Sequence, residues 1–335
     1  MVKQRKRKKT IKVFEAFAGY GGASYGLKRS GIKYKVVGFS EIEESADLIL
    51  YHNFPNIENY CDIKIIRAKL EKNPKAIPDF DLFTGGFPCQ PFSSAGLMQG
   101  EEDKLGRGTL IYEIIRICQI KKPKYILLEN VRGFFSDRFK PTREALKNGL
   151  KDYEIRMEIL NTKDYGIPQN RERLWIFAYR GELPLGFSMI PPRPDTDRPR
   201  LKDFLDANPP DDVYLSDKQV EHLQEVHGRH GLKSFVVNEP LCLDIYNHKI
   251  KTDGLCNTIT EPSHNITRIV EPIEKDGILK VRKLSISEQF RLMGFKDGEI
   301  SFPDGLNYRQ ISARAGNGWD VNLVGLLLKH IFSQL

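Results

Sequence analysis

The chain has 335 residues, 40% of them hydrophobic and 29% charged, and a net charge of +8. That length suits one large domain with a lobe or two domains, and the composition is that of an ordinary globular protein. No apolar run is long enough to span a membrane, no apolar segment follows the N-terminal charges, and the five cysteines form no CxxC; these features count against a membrane span, a signal peptide and a disulfide or cysteine-zinc framework, and point to a reducing cytoplasm.

Residues 1–10 form a basic tail, in which Lys3, Arg5, Lys6, Arg7, Lys8 and Lys9 stand without an acid. It reads as a solvated arm or as a non-specific phosphate contact. From 11 to 180 short apolar runs alternate with helical patterns. "IKVFEAFAG" predicts a strand ending at Gly19, "SYGLKRSG" a short helix stopped by Gly31, and "YKVVGFSE" the next strand. "DFDLFTGG", "PKYILLENV" and "RLWIFAYR" repeat the strand pattern, with "TLIYEIIRICQIKK" as an amphipathic helix between two of them. This alternation predicts an α/β protein with a doubly wound, mostly parallel sheet, whose ligands bind at the carboxyl ends of the strands. Five prolines punctuate the segment from Pro184 to Pro199, and the pattern from 181 to 278 is short and mixed, which predicts a second, smaller domain. Helical periodicity returns over 284–295 and 321–332, so residues 279–335 are expected to return to the first domain.

The polar motifs fall at predicted strand ends. "FAGYGG" (17–22) is either a plain strand-to-helix turn or a close approach to a ligand; Ser24 replaces the third glycine of a dinucleotide motif. Glu41 ends the second strand, where a carboxylate can reach ribose hydroxyls, and Asp62 follows another apolar segment. An adenosine-type cofactor without a pyrophosphate therefore fits better than a nicotinamide dinucleotide. "GGFPCQPFSSAG" (85–96) puts Cys89 in a Gly/Ser/Pro loop, where a packed thiol is out of place. Glu129 in "LLENV" is either capped by nearby N–H groups or used chemically. "QNRERLW" brings Arg171 and Arg173 to the start of another strand, where period-two spacing points both to one face, as a solvated charge pair with Glu172 or as a clamp. His222, His227 and His230 lack a completing ligand, so no metal site is expected.

Taken together, these motifs resemble the cytosine-C5 DNA methyltransferase family, closely its small bacterial restriction–modification members. The order of motifs matches along nearly the whole chain, including "RKLSISEQFRLMGF" and "GNGWDVNLVGLLLKHI". The resemblance implies an S-adenosylmethionine-dependent methyltransferase fold with a target-recognition domain over 181–278. It implies that Cys89 adds to C6 of a flipped-out cytosine while Glu129, with Arg173 and Arg171, holds the base. By the same carry-over Phe17, Gly19, Gly21, Gly22, Glu41, Ile42, Asp62, Ile63, Pro88 and Asn317 line the cofactor pocket, and Gln90, Ser93 and Thr258 touch DNA. The implied enzyme is a cytoplasmic monomer, bacterial or phage-encoded, acting on double-stranded DNA. Alternatives are a tRNA-modifying branch of the same family and a catalytically inactive DNA-binding relative. Two departures from the family pattern stand out: Gly318 after Gly316-Asn317, and "EPSHN" after "NTIT".

Overall fold

The computed structural model describes residues 9–88, 110–195, 198–227, 238–247, 249–262, 267–272 and 279–335. The sequence readings on Cys89, Gln90, Ser93, His230 and most of the basic tail lie outside these residues.

In chain order the strands and helices are β1 (Ile11–Ala16), α1 (Gly22–Ser30), β2 (Tyr34–Ser40), α2 (Glu44–Asn53), α3 (Ile63–Lys72), β3 (Leu82–Gly86), α4 (Leu110–Lys121), β4 (Tyr125–Val131), α5 (Lys140–Gly149), β5 (Glu154–Asn161), β6 (Gln169–Asn170) and β7 (Glu172–Tyr179). There follow α6 (Asp217–His227), β8 (Leu241–Asp244), β9 (Lys249–Lys251), β10 (Cys256–Asn257), β11 (Thr267–Val270), β12 (Val281–Arg282), α7 (Ile286–Leu292), α8 (Tyr308–Asn317) and α9 (Val321–Ser333). The chain divides into two compact units, one of residues 1–160, 172–192 and 323–335, the other of 161–171 and 193–322.

The first unit is built on a six-stranded sheet in the order β2-β1-β3-β4-β7-β5. β1 pairs in parallel with β2 and β3, β3 pairs in parallel with β4, and β7 runs antiparallel to β4. Strands covered on both faces read as continuous apolar runs, and Val13, Phe14 and Ala16 of β1 are all buried. One face packs Ile66 and Leu70 of α3, Ile114 and Cys118 of α4 and Leu146 of α5 against Phe83, Leu128 and Ile176. On α1, a side chain at Gly26 would place its Cβ 2.4 Å from Val324 Cγ1, so glycine there permits the close approach of α9. Phe332 of α9 lies 4.7 Å from the ring of Tyr125 on β4, so the last helix packs on the sheet, as its apolar stripe predicts. Lys9, at the end of the basic tail, pairs with Asp81 at 2.9 Å.

The second unit carries a small sheet, β12-β11-β8-β9, whose pairings are all antiparallel. Leu241, Leu243, Val270 and Val281 pack there with Val220 of α6. Arg282 is fully buried and is paired with Glu271 and, at 2.7 Å, with Glu288. Glu288 also closes the capping box of α7 with Ser285, so its carboxylate serves helix start and ion pair together.

The boundaries differ from cuts at 180 and 278. Residues 161–171 join the second unit because β6 pairs with β10, and Gln169 Nε2 donates to Leu292 O at 2.7 Å. The same bond ties α7 into that unit, so only 323–335 return to the sheet. Among the described residues no helix is long and apolar enough to cross a membrane, and no cluster of His, Cys, Asp and Glu could hold a metal ion.

Candidate active site

The carboxyl ends of β1 and β2 form the first half of the site. Phe17, Gly19 and Gly21 all have positive φ, at 52°, 57° and 88°. Phe17 is the costly one, since a side chain in the left-handed region is strained, while the two glycines accept it freely. The turn is tied down by Ala18 N–H to Ser40 O (3.3 Å) and Gly21 N–H to Ala18 O (2.7 Å). Glu41, at the end of β2, accepts the Gly19 N–H on Oε2 at 2.8 Å and the Ile42 and Glu43 N–H groups on Oε1, both at 2.9 Å. Ile42 is 75% exposed although apolar. Asp62 caps α3 by accepting the Lys64 N–H at 2.8 Å, and Ile63 begins that helix, buried.

Asn59, which the sequence does not single out, joins Glu41 to the approach of Asp62. Its Oδ1 accepts the N–H groups of Glu41 and Cys61, both at 3.0 Å, and its Nδ2 donates to Glu41 O at 2.9 Å. Two carboxylates at neighbouring segment ends, the first followed directly by the exposed apolar Ile42, form an acceptor set suited to hydroxyl and amine donors beside a flat apolar group. A nucleoside fits these residues.

The carboxyl ends of β3 and β4 form the second half. Gly86 is the register partner of Glu129, so the loop that leads to Cys89 leaves the sheet beside that carboxylate. Phe87, two residues before Cys89, is buried; its carbonyl accepts Asn130 Nδ2 at 3.0 Å, and its ring meets Phe134 edge-on at 5.3 Å. Pro88 follows, exposed. Glu129 itself is 8% exposed, and its Oε1 lies 2.8 Å from Nε of Arg173. β7 supplies that arginine because its antiparallel register sets Arg173 opposite Val131. Burial pulls the Arg173 guanidinium below its ordinary value, and Glu129 opposes that shift by favouring the charged form.

Arg171 and Arg173 have different partners. β7 begins at Glu172, so Arg171 precedes the pleat and belongs to the second unit. It is 2% exposed and donates to Ile259 O (3.0 Å), to Gly316 O from both Nη atoms (3.3 and 3.2 Å) and to Gly318 O (2.7 Å). Its guanidinium thus holds the "NTIT" turn and the turn around Asn317 together. Asn317 is exposed at the end of α8. Gly318 has an extended backbone (φ −86°, ψ 178°) that any residue adopts, so the departure there leaves the turn intact. Thr258 donates its hydroxyl to Asn170 O at 2.6 Å.

Comparison with known proteins gives the family and the fold. Residues 11–333 match the family model described as C-5 cytosine-specific DNA methylase. The type II methyltransferase M.Bsp6I of Bacillus sp. is 30% identical over 97% of this chain and 99% of its own length. M1.ScrFI of Lactococcus lactis is 35% identical over 86% of this chain and 70% of its own length. Among solved structures, the S. pombe Dnmt2 methyltransferase superposes with a TM-score of 0.72 at 18% identity, covering 97% of this chain and 99% of its own, which bears on the fold alone. A site with a carboxylate–arginine pair at one strand end and a nucleoside-type acceptor set at another, on this fold and with these relatives, places the chain in the C-5 cytosine-specific DNA methylase family, a family of DNA cytosine-C5 methyltransferases.

Proposed function

We propose that the chain methylates C5 of a flipped-out cytosine within a short specific sequence of double-stranded DNA, through a covalent bond between Cys89 and C6. The observation that carries this reading is the Glu129–Arg173 pair at 2.8 Å, set in register with the strand that leads to Cys89. C5 of cytosine is a weak nucleophile until electron density is pushed into the ring. Addition of the Cys89 thiolate to C6 does this, and Glu129 holds the proton at N3 and accepts from the exocyclic amine as charge builds there. Arg173 keeps the Glu129 carboxylate oriented and contacts the base. Loss of the C5 proton and departure of the Cys89 sulfur restore the ring. The target atom is inaccessible in a stacked duplex, which is why the base leaves the stack.

The cofactor proposed is S-adenosylmethionine, which when bound supplies an electrophilic methyl carbon. Phe17, Gly19, Gly21, Gly22, Glu41, Ile42, Asp62, Ile63, Pro88 and Asn317 are its proposed contacts. In the second unit, taken as target-recognition domain, Thr258 is proposed to meet DNA, as are Gln90 and Ser93 of the cysteine loop. Arg171 is a positioning residue in this reading rather than a contact to the base. The protein is taken to act as a monomer protecting DNA in a restriction–modification system.

Bisulfite sequencing of DNA from cells expressing the chain tests the reading. The expected result is 5-methylcytosine at one short motif, absent when Cys89→Ser is expressed. Protection of RNA alone, or no protection, would overturn it.

A further inference from the structure

Glu15 is an acid in the buried part of β1, flanked by Phe14 and Ala16 and 3% exposed. Its Oε1 accepts the Ala23 N–H at 2.8 Å; its Oε2 accepts the Ser24 N–H at 3.0 Å and the Ser24 hydroxyl at 2.6 Å. These two N–H groups are the second and third of α1, the pair that a side chain at the N-cap ordinarily satisfies. The N-cap here is Gly21, with φ 88° and ψ 42°, and it has no side chain to offer. Nor can it have one, because the conformation is left-handed and a Cβ would lie 2.8 Å from the ring of Phe54. The helix is therefore capped from strand β1, across the turn that the capping bonds enclose.

That turn, residues 17–22, holds Phe17 in the left-handed region, a strained conformation that persists only where its surroundings impose it. Two restraints act on it from outside. Glu41 binds Gly19 N–H in its middle, and Glu15 pins α1 at its far end. Tyr34 braces the same place by donating its hydroxyl to Ser24 O at 3.2 Å.

We propose that Glu15 is the positioning residue of the cofactor turn: its carboxylate caps α1 from β1 and so fixes residues 17–22 in the shape that accepts the ligand, without touching the ligand itself. The proposal rests on the reading of this turn as a cofactor site. Glutamine has the same shape, but its NH₂ faces one of the donors that the carboxylate accepts, so Glu15→Gln unfastens one side of the cap. Removing the hydroxyl in Ser24→Ala deletes one of the three bonds and keeps the helix former.

Calorimetric titration of the full chain with S-adenosylhomocysteine, together with steady-state kinetics at saturating DNA, tests it. Glu15→Gln is expected to weaken binding and raise the cofactor KM by about tenfold, with kcat kept within about threefold. Ser24→Ala is expected to shift the same two quantities by about threefold. A merely structural role would lower the melting temperature and the active fraction but leave KM where it is. Unchanged binding in Glu15→Gln, or a fall in kcat at constant KM, would overturn the assignment; if Glu15→Gln does not fold, unchanged binding in Ser24→Ala does so. Absence of binding by the unmodified chain would overturn the cofactor reading and the assignment together.

Discussion

Two buried glutamates stand near the carboxyl ends of strands in one sheet, Glu15 on β1 and Glu129 on β4, and they are held in opposite ways. Glu129 faces a guanidinium at 2.8 Å, whereas Glu15 faces two backbone N–H groups and a hydroxyl. Neutral donors leave burial in charge, and desolvation pushes Glu15 up to about 7 despite its three bonds. Glu129 has a charge opposite it, whereas Glu15, which caps α1, has only neutral donors.

The largest effect expected from breaking this contrast lies at β4. Glu129→Gln keeps the shape but removes the proton-holding carboxylate, and methyl incorporation into DNA is expected to fall by about 10²–10⁴-fold while S-adenosylhomocysteine still binds. Retained activity within a factor of ten would mean that Glu129 is structural. Next comes the pH dependence at β1. The folded chain binds the Glu15 proton more tightly than the unfolded chain, so Glu15 contributes its stability fully below about pH 4.5. That contribution, of the order of 3 kcal/mol, is withdrawn as the pH rises through about 7. Tyr34, pushed up to about 12 by burial and by Glu15, stays neutral across this range and adds no slope. Melting curves from about pH 5 to 8 should therefore fall less steeply for Glu15→Gln than for the unmodified chain. The smallest effects separate packing from conformation around α1. Gly26→Ala drives a Cβ into Val324 and should cost about 1–3 kcal/mol by urea unfolding. Gly31→Ala meets nothing within 4 Å and should cost only the left-handed strain, about 1 kcal/mol.

Most of the first unit was legible because its signals are local. Parallel strands buried on both faces read as apolar runs, and Gly31 ends α1 with φ 71° where the chain pattern stops it. Glu41 and Glu129 were legible because they end such runs. What was hidden depends on partners far away in sequence. Nothing in "QNRERLW" tells where the pleat begins, and that one residue sends Arg171 to carbonyls of the second unit and Arg173 to Glu129. The pairing of β6 with β10 spans two residues on each side, too short for any periodicity, yet it draws 161–171 into the second unit. Asn59 carries no motif at all. Glu15 did carry a signal, an acid between apolar residues of a strand followed by a glycine turn with no capping side chain, and its meaning needed the geometry of α1.

The covalent role proposed for Cys89 is the central claim, and duplex DNA with 5-fluorocytosine in place of cytosine tests it most directly. Fluorine at C5 cannot leave as a proton does, so the ring cannot release the sulfur once C5 is methylated. With S-adenosylmethionine present, the account predicts a denaturation-stable protein–DNA complex, with the adduct mass on the peptide that contains Cys89 and no complex from Cys89→Ser. Efficient methylation of ordinary DNA with no trapped complex, or equal trapping by Cys89→Ser, would contradict it.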